Sequence, residues 1–408
     1  MEAMARWFWT VIFVLFAPLI ALANQPEVFR IYLDADRTGH LESALSIEHG
    51  VKVAFSQHGD KIAGIPVEFI ITDHRGNVLR SKKNMQRFLE DSQGLVYVAG
   101  LHSPPLIKYR EYINKSKILT LVPWAAGTPI TRYPSAEDNY VFRLSVDDSK
   151  VGNVLVSYAL KQNCQQPHLL LENTGWGKSN HKAMMAALPE PLKNKVKTSW
   201  FNWGIKDIDA RMLIREAQSS GGDCALLVAN SREGKLIVES VSETGIELPI
   251  YSHWGITGGQ FAQNVPFEVR EKAKLRFIQS CFNFYSSESN DFNRAVFEKA
   301  KTMFPAYFED ANIKAPAGFI HGYDIASVLI TATNKLNLTN DIQSSRKAVK
   351  VALESMNERV QGLLKAYQNP FTPFSEDNFD AHEALGSEDY CMAMYDEKDA
   401  VKLLPKAI

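Results

Sequence analysis

The fold of this chain is indicated by one stretch, which reads Leu95-Val-Tyr-Val-Ala-Gly-Leu-His-Ser-Pro-Pro105 and, after a helix-length segment, Ile118-Leu-Thr-Leu-Val-Pro-Trp-Ala-Ala-Gly-Thr-Pro-Ile-Thr131. Each half is a short apolar run that stops at small and turn-forming residues, which is typical of a buried parallel strand leading into a loop. Ligands of parallel sheets collect at the carboxyl ends of the strands. We therefore expect Ser103 and the turn from Ala125 to Thr128 to offer donors to an anionic group and to form one wall of a small-molecule site.

The composition is that of a globular protein with no overall electrostatic preference. A length of 408 residues suggests two domains, because one domain takes about 150 residues. The chain is 45% hydrophobic and 22% charged, which is ordinary for a globular protein. It has 45 basic and 46 acidic residues, so no global field favours nucleic acid or an anionic membrane. A small-molecule ligand is expected, and a nucleic-acid partner is not.

The amino terminus predicts export. Arg6 precedes an uncharged apolar run from Trp7 to Ala23 that ends in Ala-Leu-Ala, the small-x-small pattern of a signal-peptidase site. We expect a signal peptide over residues 1–23 and a mature periplasmic monomer that begins near Asn24. The alternative is an uncleaved membrane anchor, because about 17 apolar residues is the lower limit for a spanning helix. The Ala-Leu-Ala ending favours cleavage.

The four cysteines are Cys164, Cys224, Cys281 and Cys391. Their spacing is wide and contains no Cys-x-x-Cys, which argues against a zinc site or a redox motif. Three of them fall within apolar, strand-like runs, where a free thiol usually behaves as a small buried hydrophobe. Export to an oxidising compartment makes one disulfide possible but not required. No metal and no cofactor is expected.

Strand and helix patterns alternate along the chain. Strands are predicted near residues 28–33, 67–72, 95–99, 118–122, 140–144, 168–172, 199–202, 224–229 and 248–252, with helices between them. Such alternation implies right-handed crossovers and parallel sheets that are covered on both faces. After Phe284 the pattern becomes mainly helical, and the tail closes with one last strand from Tyr390 to Tyr395. Two similar α/β lobes are the simplest interpretation.

Several short motifs are informative as an ordered set. They are Gly100-Leu-His-Ser103, Val122-Pro-Trp-Ala-Ala-Gly-Thr-Pro-Ile-Thr131, Tyr140-Val-Phe-Arg143 with Asp147-Asp148 beyond, Trp176-Gly177, Gly222-Asp-Cys-Ala-Leu-Leu-Val228, Gly245 with Pro249, and Tyr323-Asp324. This order resembles the type I periplasmic binding proteins, particularly the branch with the leucine/isoleucine/valine-binding proteins of ABC importers. The resemblance covers nearly the whole mature chain.

The resemblance implies an α/β fold of two Rossmann-like lobes, each with a central, mainly parallel sheet, joined by three hinge crossings. One lobe would combine residues 27–145 with 285–365, and the other 146–284 with 366–408. A ligand would bind in the cleft between the lobes and be enclosed by a hinge motion. The residue pattern alone would have suggested two consecutive domains.

The resemblance also implies a set of ligand-binding residues: Ser103, Trp124, Ala126, Gly127, Thr128, Trp176, Asn230 and Trp254. Ser103 and the Ala125 to Thr128 turn correspond to loops that hold a ligand carboxylate. Ala126 falls where amino-acid binders carry a threonine hydroxyl, for which Thr128 can substitute. Trp176 falls at an aromatic residue that caps the ligand, and Trp254 falls where those members place a glutamate for the ligand's ammonium group.

The missing glutamate leads to an expectation about the ligand. Without a carboxylate in the cleft, common α-amino acids should bind weakly, and a small acid with an apolar or aromatic body should bind better. Trp254→Ala should then weaken binding while leaving the fold intact. The alternative to ligand binding is a purely structural role: Trp124, Trp176 and Trp254 would then be core aromatics, and Ser103 would cap a helix beginning at Pro104. His102, His253 and His321 are assigned to structural or solvated positions.

The expected function is capture of a small organic solute and its delivery to the permease subunits of an ABC importer. The alternative is a ligand sensor of the same fold that acts through a signalling partner. An enzyme is not expected, although Gly177-Lys178-Ser179 looks like the end of a phosphate-binding loop. Glu172 stands where that motif requires its first glycine, and the chain contains neither a Gly-x-Ser-x-Gly nor a His-Glu-x-x-His motif.

Overall fold

The computed structural model describes residues 25–133, 138–285, 290–308 and 313–405. Its strands are β1 (Phe29–Ala35), β2 (Lys61–Ile62), β3 (Ile65–Asp73), β4 (Gly94–Ala99), β5 (Thr120–Val122), β6 (Val141–Arg143), β7 (Pro167–Glu172), β8 (Lys197–Phe201), β9 (Cys224–Val228), β10 (Ile250–Ser252), β11 (Arg276–Ser280), β12 (Val360–Gln361), β13 (Ala366–Tyr367), β14 (Tyr390–Tyr395) and β15 (Val401–Leu403). The predicted signal peptide lies outside the described residues.

The helices alternate with these strands. They are α1 (Leu41–Gln57), α2 (Val78–Glu90), α3 (Ser103–Lys115), α4 (Asp148–Lys161), α5 (Gly175–Ala187), α6 (Glu190–Lys193), α7 (Asp207–Ser219), α8 (Ser231–Thr244), α9 (Phe261–Asn264), α10 (Phe267–Lys272), α11 (Asp291–Met303), α12 (Pro316–Thr333) and α13 (Ile342–Glu354). No helix in the described ranges combines the length and the apolar character that a membrane crossing needs.

The strands form two large sheets and one small hairpin. The first sheet has the order β2-β3-β1-β4-β5-β6, and the second has the order β15-β14-β11-β10-β9-β7-β8. Pairing is parallel from β3 to β6 and from β11 to β8, whereas β2, β14 and β15 pair antiparallel to their neighbours. Every residue of β4 and β9 is buried, as expected for parallel strands covered on both faces. The predicted α/β fold class is confirmed.

The chain passes between the two sheets three times. It leaves the first sheet after β6, and α4 then packs against strands of the second sheet. After β11 it returns, since α12 packs on α1 and α13 contacts β4 of the first sheet. It finally re-enters the second sheet with β14. The exact lobe boundaries stay a prediction.

A buried ion network joins the first and third crossings. Arg143, at the end of β6, donates to both carboxylate oxygens of Glu383 at 2.8 and 2.6 Å, and its guanidinium lies 3.1 Å from Asp147. The side chains of Arg143 and Asp147 are fully buried. Burial alone would raise the pKa of Asp147, but the adjacent guanidinium groups of Arg143 and Arg132 hold it well below its usual range. The network fixes the crossing segments to one another.

Two disulfide bonds go beyond what the sequence predicted. Cys164 pairs with Cys224 and Cys281 with Cys391, with Cα separations of 5.7 and 5.0 Å. The first bond ties the segment after α4 to β9, and the second ties the end of β11 to β14. The apolar runs around Cys224, Cys281 and Cys391 favoured buried free thiols, with one disulfide left open, whereas all four cysteines are paired. Strand β15 and the β12–β13 hairpin were also not predicted, and β15 shows that β14 is not the last strand.

Candidate ligand-binding site

The carboxyl ends of strands from both sheets meet at one small pocket. Its lining residues are Leu101, His102, Ser103, Pro104, Trp124, Ala126, Glu172, Trp176, Asn230 and Trp254. The first sheet contributes the loops after β4 and β5, and the second contributes the ends of β7, β9 and β10. This is the position at which doubly wound sheets bind ligands. The cavity measures about 10 Å³ in this conformation, which is room for roughly one water molecule.

Ser103 connects the two loops of the first sheet. It is the first residue of α3, and His102 is the N-cap residue. Its Oγ accepts a hydrogen bond from the backbone N–H of Gly127 at 3.0 Å. The hydroxyl therefore orders the loop after β5 instead of capping a helix, and its own proton can still be donated into the pocket.

Two of the predicted site residues lie behind the pocket. Gly127 uses its N–H on Ser103, and its carbonyl accepts from Arg143 at 2.9 Å. The Thr128 hydroxyl donates to Asp147 at 2.8 Å. The structure thus does not place the Thr128 hydroxyl in the pocket as a substitute for the threonine that Ala126 replaces.

The tryptophans form the apolar part of the pocket. The ring of Trp254 lies 5.2 Å from the ring of Trp124 and 5.2 Å from the ring of His321. The orientation of the Trp176 ring is fixed by a hydrogen bond, because its Nε1 donates to Asp148 at 3.1 Å. A Cβ on Gly255 would lie 2.4 Å from the Trp176 ring, so only glycine allows this approach.

These aromatic residues are part of the core as well as of the pocket lining. Trp254 is 1% exposed and Trp176 is 6% exposed. Removal of a buried tryptophan side chain costs about 3–5 kcal/mol. Trp254→Ala is therefore expected to lower the stability of the fold, and its effect on a ligand has to be read together with that loss.

The histidines assigned to structural or solvated positions are all buried. His253 Nε2 lies 3.0 Å from the same Asp148 oxygen that holds Trp176. His321 contacts the Pro123 carbonyl through Nδ1 at 3.2 Å. Burial lowers the pKa of His321 to about 4, so its ring is neutral at pH 7 and packs as an aromatic group. The structural assignment of His253 and His321 agrees with these contacts.

Glu172 is the pocket residue that the sequence interpretation missed. It ends β7 and is fully buried, with Oε1 accepting from Thr174 at 2.7 Å. Its Oε2 accepts from Trp203 Nε1 at 2.9 Å and from Asn230 Nδ2 at 3.1 Å. Burial, with smaller contributions from neighbouring acidic groups, raises the pKa of Glu172 to about 7. A perturbed carboxyl group in a cleft marks a functional candidate.

Glu172 corrects the expectation about pocket chemistry. The reasoning from Trp254 assumed that the cleft carries no carboxylate, but Glu172 supplies one from β7. The signal in the sequence was an acidic residue that ends the apolar run His168-Leu-Leu-Leu-Glu172. Asn230, whose site assignment came from the resemblance, orients this carboxylate as the N-cap residue of α8.

Comparisons with known proteins agree with the fold. A family model described as "Periplasmic binding protein" matches residues 34–381. A type 1 periplasmic binding protein from Bordetella pertussis Tohama I has 15% identity and a TM-score of 0.73, covering 93% of this chain and 100% of that chain. Comparison with curated protein sequences finds no match.

Two further structures are similar and were solved with ligands. A solute-binding protein of an ABC transporter from R. palustris, in complex with benzoate, has 14% identity and a TM-score of 0.71, covering 92% of this chain and 95% of that chain. A branched-chain amino acid transporter substrate-binding protein from Streptococcus pneumoniae, in complex with isoleucine, has 14% identity and a TM-score of 0.69, covering 92% of this chain and 99% of that chain. The resemblance inferred from the motifs is confirmed: the chain belongs to the periplasmic binding protein family and has the type I fold.

Proposed function

We propose that this protein captures a small, amino-acid-like solute in the cleft between its two sheets and delivers it to the permease subunits of an ABC importer. Family membership supports solute binding, and two similar structures are described as transporter components bound to isoleucine and benzoate. The proposed ligand class rests on one observation, which is that Glu172 places a buried carboxylate in a pocket lined with indole rings.

The pocket has a polarity that suits a solute with an ammonium group and an apolar body. Glu172 can pair with a cation, and a buried pair is favourable only when both charges are matched. The indole faces of Trp124, Trp176 and Trp254 can each add about 0.5–2 kcal/mol of cation–π attraction or cover apolar groups. Ser103 offers a hydroxyl donor for a carboxylate on the opposite side of the cleft.

Ligand entry requires the cleft to open. A cavity of about 10 Å³ is far below the roughly 300 Å³ at which ligand pockets begin. Contacts across the cleft hold the present conformation, among them the Trp124–Trp254 ring pair and a bond of 2.8 Å from Gln260 to Glu42. Rotation about the three crossings would separate the two sides without unfolding either sheet.

The test is titration calorimetry with Glu172→Gln. Leucine, isoleucine, glycine betaine and benzoate are titrated into the mature wild type and the variant at pH 8, where the Glu172 carboxyl is ionised. Loss of a buried charge partner costs about 2–5 kcal/mol, so an ammonium ligand should bind at least 30-fold more weakly to Glu172→Gln. Glu216→Gln on the exposed face of α7 is the matched control and should leave the affinity unchanged.

A second candidate ligand class is an aromatic acid, which the benzoate complex of the similar structure favours. The same variant separates the two, because a carboxylate ligand is repelled by ionised Glu172 and should bind more tightly to Glu172→Gln. An unchanged affinity in Glu172→Gln for a ligand that the wild type binds would contradict both assignments. Co-purification with a permease complex, and uptake lost on deletion, would separate transport from sensing.

A further inference from the structure

Three side chains of metal-ligating types meet beside the pocket, at the carboxyl ends of strands β1 and β4 of the first sheet. Asp36 follows β1, His40 is the N-cap residue of α1, and His102 is the N-cap residue of α3. Asp36 Oδ2 lies 3.2 Å from His40 Nδ1 and 3.1 Å from His102 Nε2. One ligand atom from each residue lies within 4.8 Å of the others.

The separations fit coordination of a small divalent ion as well as hydrogen bonding. Zinc binds imidazole nitrogen and carboxylate oxygen at about 2.0–2.2 Å in tetrahedral geometry, so two of its ligand atoms stand roughly 3.3 Å apart. The two measured separations lie within about 0.2 Å of that value. At these two separations an ion could replace the shared protons of Asp36, and the ligand atoms of the two histidines lie within 4.8 Å of each other.

The surrounding contacts orient the cluster. Asp36 uses its other oxygen, Oδ1, to accept from the Gly39 N–H at 2.8 Å, which fixes the plane of the carboxylate. The rings of His40 and His102 meet edge to face at 5.0 Å. His40 Nε2 is buried and has no hydrogen-bond partner among the described residues. The His40 side chain forms no helix-cap bond either, so helix capping does not explain it.

A third histidine nearby has a different role. His74 is buried, and its Nδ1 accepts from the Gly76 N–H at 3.1 Å. Its Nε2 points at the Gly100 carbonyl at 3.4 Å. Both nitrogens are thus directed at backbone groups, and His74 supports the loop beside His102. The ring of Trp203, from the second sheet, covers His102 at 5.2 Å.

We propose that Asp36, His40 and His102 form a binding site for a divalent transition-metal ion of the zinc type, with one coordination position left for water or a donor atom of a bound solute. Two imidazoles and one carboxylate favour such an ion over calcium or magnesium, which prefer oxygen ligands. Because His102 also lines the pocket, an ion at this site would lie at the border of the solute cleft.

The test uses the full mature chain without an affinity tag, stripped with a chelator and titrated with ZnCl₂ by calorimetry. One zinc ion per chain is expected, with a dissociation constant in the micromolar range or below. His40→Ala and Asp36→Asn should each weaken binding at least tenfold. His58→Ala is the matched control, because His58 is exposed at the opposite end of the same helix, and it should bind zinc like the wild type.

Two checks keep the result interpretable. Circular dichroism verifies that each variant is folded, and His40→Ala is the variant least able to disturb the fold because His40 makes no cap bond. Cobalt replacing zinc should give visible absorption bands of a tetrahedral nitrogen and oxygen site, which disappear in His40→Ala. Absence of zinc binding by the folded wild type, or binding that neither His40→Ala nor Asp36→Asn weakens, overturns the proposal.

Discussion

The buried carboxyl of Glu172 should make this protein less stable at alkaline pH than a neutral side chain would. Its pKa is raised from 4.5 to about 7 by burial. One pKa unit corresponds to about 1.36 kcal/mol, so ionisation of Glu172 costs the folded state about 3 kcal/mol relative to the unfolded chain. Glu172→Gln removes the ionisable group and keeps an acceptor oxygen for Trp203 and Asn230.

The sign of the effect follows from proton binding. Between pH 4.5 and about 7 the folded state holds the Glu172 proton more tightly than the unfolded state does, so this contribution to the free energy of unfolding falls as the pH rises through that window. Above about pH 7 the contribution is constant. We expect Glu172→Gln to match the wild type near pH 4.5 and to be more stable by up to about 3 kcal/mol at pH 8.

The assay is urea unfolding of ligand-free protein, followed by far-ultraviolet circular dichroism at pH 5 and pH 8. The measured quantity is the difference between wild type and Glu172→Gln at each pH, with Glu216→Gln as the control that should show no such difference. The reasoning is refuted if Glu172→Gln retains the full pH dependence of the wild type, or if it is the less stable protein at pH 8.

Two further changes test a buried ion pair and a disulfide bond. Glu383→Gln should lower the free energy of unfolding by about 3–5 kcal/mol, because it removes one of the two carboxylates that pair with the buried Arg143. Glu68→Gln, in an exposed pair, should cost at most about 1 kcal/mol, and equal effects of the two substitutions in urea unfolding would contradict this. Replacing both Cys281 and Cys391 by serine should lower the free energy of unfolding by about 2–4 kcal/mol, since their disulfide closes a separation of 110 residues. Peptide mapping without reductant checks that the bond is present in the wild type. An unchanged unfolding midpoint would refute its contribution to stability.

Most of the buried parallel strands could be predicted from the sequence, and the short antiparallel strands β12, β13 and β15 could not. Runs such as β4 and β9 are apolar at every position or nearly so, which is typical of parallel strands covered on both faces. By contrast, β12, β13 and β15 have only two or three residues each. They are strands because a neighbouring backbone accepts and donates their hydrogen bonds, and a local pattern does not carry that information.

The candidate site was predictable to the extent that it lies on loops. Small and turn-forming residues after strands identified the positions of Ser103, Trp176 and Trp254, which all line the pocket. Glu172 was missed because it is the last residue of β7 itself. The end of β7 becomes a pocket wall only when β8 and β9 pair with that strand on either side. The disulfides were missed for a related reason, since spacing along the chain does not reveal which cysteines become neighbours.

Among the described residues, Asp324 is a second buried carboxyl group with a raised pKa, and its hydrogen-bond donors differ from those of Glu172. Burial raises the pKa of Asp324 to about 7 as well, but its two oxygens accept from the backbone N–H groups of Leu363 and Leu364 at 2.6 and 3.1 Å. An asparagine has one acceptor oxygen and would turn its amide donors towards one of these N–H groups. A carboxylate is therefore required at position 324 by the fold alone.

The donors around Glu172 differ, because all three are side-chain groups, of Thr174, Trp203 and Asn230. A glutamine oxygen can accept from both Trp203 and Asn230, but its amide would face the Thr174 hydroxyl, whose oxygen already accepts from the N–H groups of Trp176 and Gly177. Glutamine would therefore lose the Thr174 bond while avoiding the cost of burying a charge. Among the described residues, no basic side chain pairs with Glu172, whereas the buried Glu383 has Arg143. Of the two side chains, only glutamate provides both an acceptor for all three donors and a negative charge beside three indole rings, and a positive group that enters the cleft from outside is the partner that would stabilise that charge.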